Sequence, residues 1–486
     1  MSDESKCSVQ PEEPAREVVD ASKCRIRIGA CDIVDQRLGP ILASDPDNED
    51  NKKKAEDALQ DLLKETRVRT GTLLKTDNVS FLVGAGASIG AGGFSLSSIP
   101  KQLERALLLT AVDEMADGDA PGWIDLFYKT ASALLQDDLS FDERKRLLGN
   151  DAGTELHGIS INLETYLSHL HTWVAGMTGL ATSMNLVIAE GVELEIGKDA
   201  LERLIKEITR NLSILLDLPK VEGNEPLRNH RRFIKKVLTR PLNLRRANIF
   251  TLNYDTLLEQ AADAEGAVLV DGFVGTLRRV FRPESYDLDF YFPAQTTEGR
   301  VHRFDRALHL YKLHGSITWH KCDQSWENPH GLYATFFNQD CQEDDVLIYP
   351  SPLKYGQVLG LPYSELFRRF GNAIAQSQSV LFTIGYGFGD DHVNALISQA
   401  LAIPSFTLVV VDPEPTNEFV RKLEELGDER IWIVTGWHIG TFEGFVKAVL
   451  PDLREEEIDT KVMRTFRALL PTVHNDRVEE VDNDGE

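Results

Sequence analysis

Phe81-Leu-Val-Gly-Ala-Gly-Ala-Ser88 is a short apolar run that opens into a turn of small residues. In a parallel sheet such a run is a buried strand, and the turn after it brings backbone N–H groups and a helix N-terminus up to a phosphate. Glycine at Gly84 and Gly86 admits close backbone approach and dihedrals closed to other residues, while Ala85 and Ala87 keep the walls low. A nucleotide is therefore the first ligand to consider. A plain tight strand-to-helix connection reads the same way, so the segment alone leaves both readings open.

Three later segments share the pattern of an apolar run ending in polar residues and glycine: Ile249-Phe-Thr-Leu-Asn-Tyr-Asp255, Leu310-Tyr-Lys-Leu-His-Gly-Ser316 and Leu381-Phe-Thr-Ile-Gly-Tyr-Gly-Phe-Gly-Asp-Asp-His392. Strands of an open parallel sheet end along one crevice, so Asn253, Asp255, His314 and Asp390 are expected to converge there despite their separation in sequence.

The order and wording of the four segments resemble the sirtuin family, in its bacterial branch of antiphage NAD-degrading proteins. The resemblance runs from about Val79 to Trp437 and implies a Rossmann-like α/β fold built on a parallel sheet. It implies that Gly84, Ala85, Gly86, Ala87 and Ser88 hold the pyrophosphate, that Asn253 and Asp255 face the nicotinamide ribose, and that His314 is the catalytic base. Gly385, Tyr386 and Asp412 complete the expected cofactor-binding set. One departure stands out: relatives often carry serine where this chain has Gly387, which puts a side-chain contact to ribose or phosphate in doubt.

The chemistry also follows from residue types. Breaking a nicotinamide–ribose bond builds positive charge on the sugar, and the leaving group departs neutral, so positioning and a base are needed more than an acid. A carboxamide such as Asn253 holds a hydroxyl or a water without competing for protons, and a histidine titrates near neutrality, as a general base must. Asp255 would bind the nicotinamide amide or favour the developing cation. Bland alternatives remain: His314 as a buried core histidine, and Asp255 as a cap for the helix-like run Thr256–Ala262.

Asp390, Asp391 and His392 read more readily as a helix cap with acid in the first turn than as metal ligands. The apolar strand Thr407-Leu-Val-Val-Val-Asp412 has an acid at its carboxyl end, where an adenosine ribose is usually held, although Asp412-Pro413 also suits a turn. The five cysteines are Cys7, Cys24, Cys31, Cys322 and Cys341. Protein-deacylating sirtuins carry two Cys-x-x-Cys pairs after the His-Gly motif; only Cys322 and Cys341 stand there, so no zinc is expected and the reading shifts from deacylation to NAD hydrolysis.

At 486 residues and 42% hydrophobic content the chain can bury two or three domains. No apolar run reaches the roughly 20 residues needed to cross a bilayer, and Met1-Ser-Asp-Glu-Ser-Lys lacks the pattern of a secretory signal, so a cytoplasmic, membrane-free protein is expected. A net charge of -25 argues against direct nucleic-acid binding; the basic run from His230 to Arg246 reads as the solvated face of a helix.

The expected organisation is a polar, partly disordered extension (1–50) in which Arg25–Leu42 has enough apolar residues to dock, the start of an NAD-binding core (51–98) that opens on a helix over Ala55–Leu74, a helical insertion (99–245), the remainder of the core (246–450), and a helix with an acidic tail (451–486). Periodicity over Leu103–Met115, Trp123–Leu135, Leu163–Met177 and Leu201–Leu215 defines the insertion. Glu164, in the first turn of its third helix, is either a pocket residue or an acid favoured by the helix dipole. With no sensor domain evident, the resemblance implies regulation by homo-oligomerisation or by a HerA-type hexameric ATPase partner. The functional expectation is an NAD+ hydrolase acting as an antiphage effector; a deacylase or ADP-ribosyltransferase, or a non-catalytic nucleotide sensor, are the alternatives.

Overall fold

The computed structural model describes residues 23–43, 49–95, 97–115, 119–135, 139–149, 159, 161–177, 183–187, 193–219, 226–292, 302–335, 346–348 and 361–455. In chain order the first strands are β1 (Arg25–Ile28), β2 (Cys31–Asp32), β3 (Asn78–Val83), β4 (Ser183–Val187), β5 (Glu193–Gly197), β6 (Asn248–Thr251), β7 (Val268–Val270) and β8 (Phe273–Val274). They are followed by β9 (Arg279–Phe281), β10 (Ala307–Lys312), β11 (Gly315–Lys321), β12 (Leu332–Ala334), β13 (Val346–Ile348), β14 (Ser379–Ile384), β15 (Thr407–Val411) and β16 (Ile431–Thr435).

Nine strands form one sheet in the order β2-β1-β16-β15-β14-β3-β6-β10-β7. All pairings from β16 across to β7 are parallel, and β1 closes one edge antiparallel to β16. The fold is the expected Rossmann-like α/β architecture. From β3 the chain builds outward through β6, β7 and β10 on one side, then crosses to β14, β15 and β16 on the other. The strand order thus reverses between β3 and β14, where diverging connections leave a crevice at the carboxyl ends.

β3 is buried on both faces, as parallel strands covered by helices require. Val79, Phe81 and Val83 enter one core with the helices Glu49–Leu74 and Arg228–Val237, while Leu82 enters the other with Tyr363–Ile374 and Asp391–Leu401. Phe81 stacks on Phe382 of β14 and meets the edge of Phe233, both at 5.1 Å between ring centres.

A small antiparallel sheet, β13-β11-β12-β9-β8, flanks the crevice next to β10. The helices Ile99–Asp113, Gly122–Leu135, Leu163–Gly176 and Lys198–Leu216 share a third core, against which Tyr254 and Ile317 pack. The insertion is therefore in van der Waals contact with the loops that carry Asn253 and His314.

One expectation gains a definite place and two particulars differ from the sequence reading. The segment Arg25–Leu42 is built into the fold: β1 pairs with β16, and the helix Ile33–Leu42 packs on Glu49–Leu74. The helix Arg228–Val237 lies under the main sheet and not in the insertion, because His230, Phe233, Ile234 and Val237 form a buried stripe opposite the exposed Arg231 and Lys235. The Gly-Ala-Gly-Ala-Ser turn does not open an α-helix. Two 3-10 turns, Ala85–Ala87 and Ile89–Ala91, follow it, and the first α-helix begins only at Ile99.

Candidate active site

The need for glycine in the first turn comes from the neighbouring loop. A Cβ at Gly84 would lie 2.5 Å from the Gly385 carbonyl oxygen, and one at Gly86 would lie 2.7 Å from the Gly385 Cα. Gly385 in turn has φ +61° and leaves 2.6 Å between a virtual Cβ and the Ala87 nitrogen. Gly84 itself is in ordinary extended backbone, so the turn's glycines serve close approach of two loops, not unusual dihedrals.

Most of the turn's N–H groups are spent inside the protein. Gly84 donates to the Ile384 carbonyl (2.9 Å), Gly86 to Gly385 (3.0 Å), Ala87 to Gly84 (3.0 Å) and Ser88 to Ala85 (3.0 Å). Among the described residues Ala85 N–H alone of the five enters no such bond. Ala85 and Gly86 are half-buried, whereas Gly84, Ala87 and Ser88 are buried. A phosphate would meet the first two and find the others behind the wall.

Ser88 instead joins Asn253 to Asp255. The Asn253 amide donates to the Gly84 carbonyl (3.0 Å) and to Ser88 Oγ (2.9 Å), and Ser88 Oγ donates to Asp255 Oδ2 (2.6 Å). The Gly84 carbonyl can only accept, which fixes the orientation of the Asn253 amide and makes Oδ1 the acceptor it can offer. Asp255 Oδ1 accepts from Leu257 N–H (3.1 Å) at the start of the helix Leu257–Ala264. Oδ1 thus takes the capping role weighed for Asp255, while Oδ2 is held by Ser88.

Below this loop lies a buried ion pair. Lys312, the last residue of β10, bonds Glu259 Oε1 at 2.8 Å and also donates to the Asp255 and Tyr254 carbonyls. Burial pushes the Glu259 carboxyl up, and the Lys312 charge opposes this. Sequence reasoning missed Lys312, although a lysine inside the apolar run Leu310–Leu313 is a visible signal: buried in a strand, it must have an anionic partner.

His314 comes to the same crevice from β10. The Tyr254 carbonyl accepts from Ile317 N–H (3.1 Å), and the Tyr254 ring lies 6.3 Å from the His314 ring. His314 Nε2 is 3.0 Å from Asp390 Oδ2. Asp390 caps the helix Asp391–Leu401 as the sequence suggests, its Oδ1 accepting from His392 N–H (2.9 Å) and Val393 N–H (3.3 Å). Its bond to His314 is a second function that the sequence reading did not assign.

Gly385 is part of the interlocked loops. Tyr386 is buried, and its hydroxyl donates to the Asp390 carbonyl (3.1 Å) and is 3.0 Å from Asn394 Oδ1, so its side chain braces the Asp390 loop and the crevice receives only its backbone. Burial pushes the Tyr386 hydroxyl well above its ordinary range. Asp412 stands at the end of β15, its Oδ1 accepting from Glu414 N–H (2.9 Å) in a turn, and burial pushes its carboxyl up. At Gly387 a Cβ would meet nothing within 4 Å, so a serine there would fit.

Other proposed features lie elsewhere. Cys31 and Cys322 are free thiols, and the Cys322 sulfur accepts from the Asn328 amide at 3.1 Å; Cys24 is buried. Cys7, Cys341 and the acidic tail fall outside the described residues, as does the side chain of Glu164. No described helix is long and apolar enough to cross a membrane.

Residues 247–429 match the family model described as SIR2-like domain. This segment contains Asn253, Asp255, His314, Gly385, Tyr386, Asp390 and Asp412 and is consistent with an NAD-utilising enzyme. The Gly84–Ser88 turn precedes the SIR2-like segment and is joined to it through Gly385 and Asn253. No curated protein matches the chain.

Proposed function

We propose that the chain hydrolyses NAD+ to nicotinamide and ADP-ribose. The observation that carries this reading is the fixed Asn253 amide, with both hydrogens engaged, next to Tyr254, whose ring lies 6.3 Å from that of His314, in the crevice at the strand-order reversal. NAD+ fits this crevice through the Ala85 N–H and the low Ala85–Gly86 wall at the phosphates. Bound there, it supplies a cationic leaving group.

As the nicotinamide–C1′ bond breaks, its electron pair passes to the ring nitrogen, nicotinamide leaves neutral, and positive charge develops on the ribose. Asn253 Oδ1 accepts from a ribose hydroxyl or the incoming water and fixes its approach. Asp255 adds negative charge behind Asn253. The water oxygen bonds C1′ and its proton passes to His314.

The wider role rests on the sirtuin resemblance: an antiphage effector that depletes NAD, assembled as a homo-oligomer and restrained by a HerA-type hexameric ATPase. Co-purification from infected and uninfected cells tests that partner, and recovery of no ATPase in either overturns it.

Purified protein incubated with NAD+ and resolved by chromatography tests the reaction. Nicotinamide and ADP-ribose should appear without added peptide, and the folded fraction of Asn253→Ala and of His314→Ala should each lose roughly 10²-fold or more in rate. Equal turnover in the variants, or label retained on protein, overturns the reading.

A further inference from the structure

The backbone just after Asn253 is held by three groups of the segment that carries His314. The Tyr254 carbonyl accepts from Ile317 N–H (3.1 Å), Ser316 Oγ (3.4 Å) and Lys312 Nζ (3.4 Å), and the Asp255 carbonyl also accepts from Lys312. Lys312 stands opposite Thr251 in the pairing of β10 with β6, and Thr251 Oγ accepts from Asn253 N–H (3.1 Å). A further bond joins the ammonium to Glu259 Oε1 at 2.8 Å, and the lysine side chain is only 3% exposed. Its three hydrogens thus have three acceptors, two of them backbone carbonyls.

Stability does not explain a lysine here, because exchanging a buried ion pair for apolar residues of similar volume is often neutral or stabilising. An apolar pair, however, cannot donate to two carbonyls on another element. Resting on the hydrolase reading, we propose that Lys312 is a positioning residue that sets the placement of Asn253 relative to His314. From a strand position two residues before His314, one ammonium grips both peptide carbonyls that follow Asn253, so the carboxamide and the imidazole are fixed as a unit. Without that grip the Leu252–Thr256 loop lifts from the end of β10 and the reacting geometry is lost, while the phosphate end of the crevice at Ala85 is untouched.

Lys312→Met alone leaves Glu259 as a buried charge without its cation and loses stability. The decisive variant is therefore Lys312→Met/Glu259→Leu, which removes both charges and should regain the lost stability. Hydrogen exchange reads the loop without any substrate. The amides of Asn253, Leu257 and Ile317, which bond Thr251 Oγ, Asp255 Oδ1 and the Tyr254 carbonyl, should exchange about 10-fold faster than in the wild type. Those of Leu252 and Leu313, bonded to the Val83 and Thr251 carbonyls, should keep their protection. With NAD+, kcat should fall by roughly 10-fold or more with KM nearly constant. Lys312→Met, read on its folded fraction, gives the same comparison if the double variant folds poorly.

A purely structural lysine would let kcat recover with stability. Wild-type kcat in the double variant, a raised KM at constant kcat, or unchanged exchange at the three amides each overturns the proposal. A wild type that does not cleave NAD+ overturns only the hydrolase reading, and faster exchange at the three amides then still supports the grip of Lys312 on the loop.

Discussion

Both edges of the main sheet are dense with buried polar groups, and they use them differently. At the amino edge cations end on fixed carbonyls. Arg240 donates to the Leu74, Arg245 and Thr76 carbonyls at 2.8, 3.0 and 2.8 Å and has backbone partners throughout, while Arg246 donates to the Ala307 and Phe304 carbonyls and also pairs with Asp289. At the carboxyl edge side chains bond one another, Asn253 to Ser88 to Asp255 and His314 to Asp390. Groups whose partners are all backbone stabilise the sheet; groups that orient each other can do chemistry.

Arg240→Ala gives the largest expected effect and tests the first half of that contrast. Three carbonyls leading into β3 and β6 lose their donor, at a cost of roughly 3 kcal/mol in unfolding free energy. Denaturant titration measures it, and the folded fraction should cleave NAD+ at the wild-type rate. A rate defect with unchanged stability would erase the distinction between the edges.

A buried histidine lies near each edge and gives the next effect. Burial, reinforced by Arg246, holds His309 down to about 4, with Asp289 pulling the other way. Burial also lowers His230, opposed by Asp255. An unfolded histidine titrates near 6.5. Between these values the unfolded chain binds a proton that the folded chain refuses, so this stability is present above about 6.5, falls with pH, and is lost once pH drops below about 4. His309→Leu should therefore lose about 2 kcal/mol less than wild type between about pH 7 and about pH 4.5 in urea titrations. Equal losses would mean that His309 is protonated in the fold.

The sequence made the strands and their crevice legible because short apolar runs ending in Gly, Asn, Asp and His are local signals. The 3.6-residue stripe of Leu201, Leu204, Ile208 and Leu212 likewise revealed the helix Lys198–Leu216. What escaped was pairing at long range. The demand for glycine at Gly84 and Gly86 comes from Gly385, which no local pattern announces. Asp390 read as a cap because capping is local, whereas its bond to His314 spans 76 positions. Ser88 read as a phosphate ligand because turns of this wording hold phosphates, yet folding turns its hydroxyl inward to Asp255.

Ser88→Ala is the smallest expected effect and the sharpest test of that last difference. Removing the hydroxyl strips one acceptor from the Asn253 amide and one donor from Asp255, both beside a buried position, and should cost about 1 kcal/mol in stability. The kinetic split discriminates between the roles. If Ser88 bound phosphate in ground and transition state alike, its loss would raise KM for NAD+ and leave kcat unchanged. If it orients Asn253, the substrate still binds, the amide swings about its remaining bond to Gly84, and kcat falls by roughly 10-fold with KM nearly constant. A pure KM effect would return Ser88 to the phosphate wall and reduce the carboxyl edge to one oriented pair, His314 with Asp390.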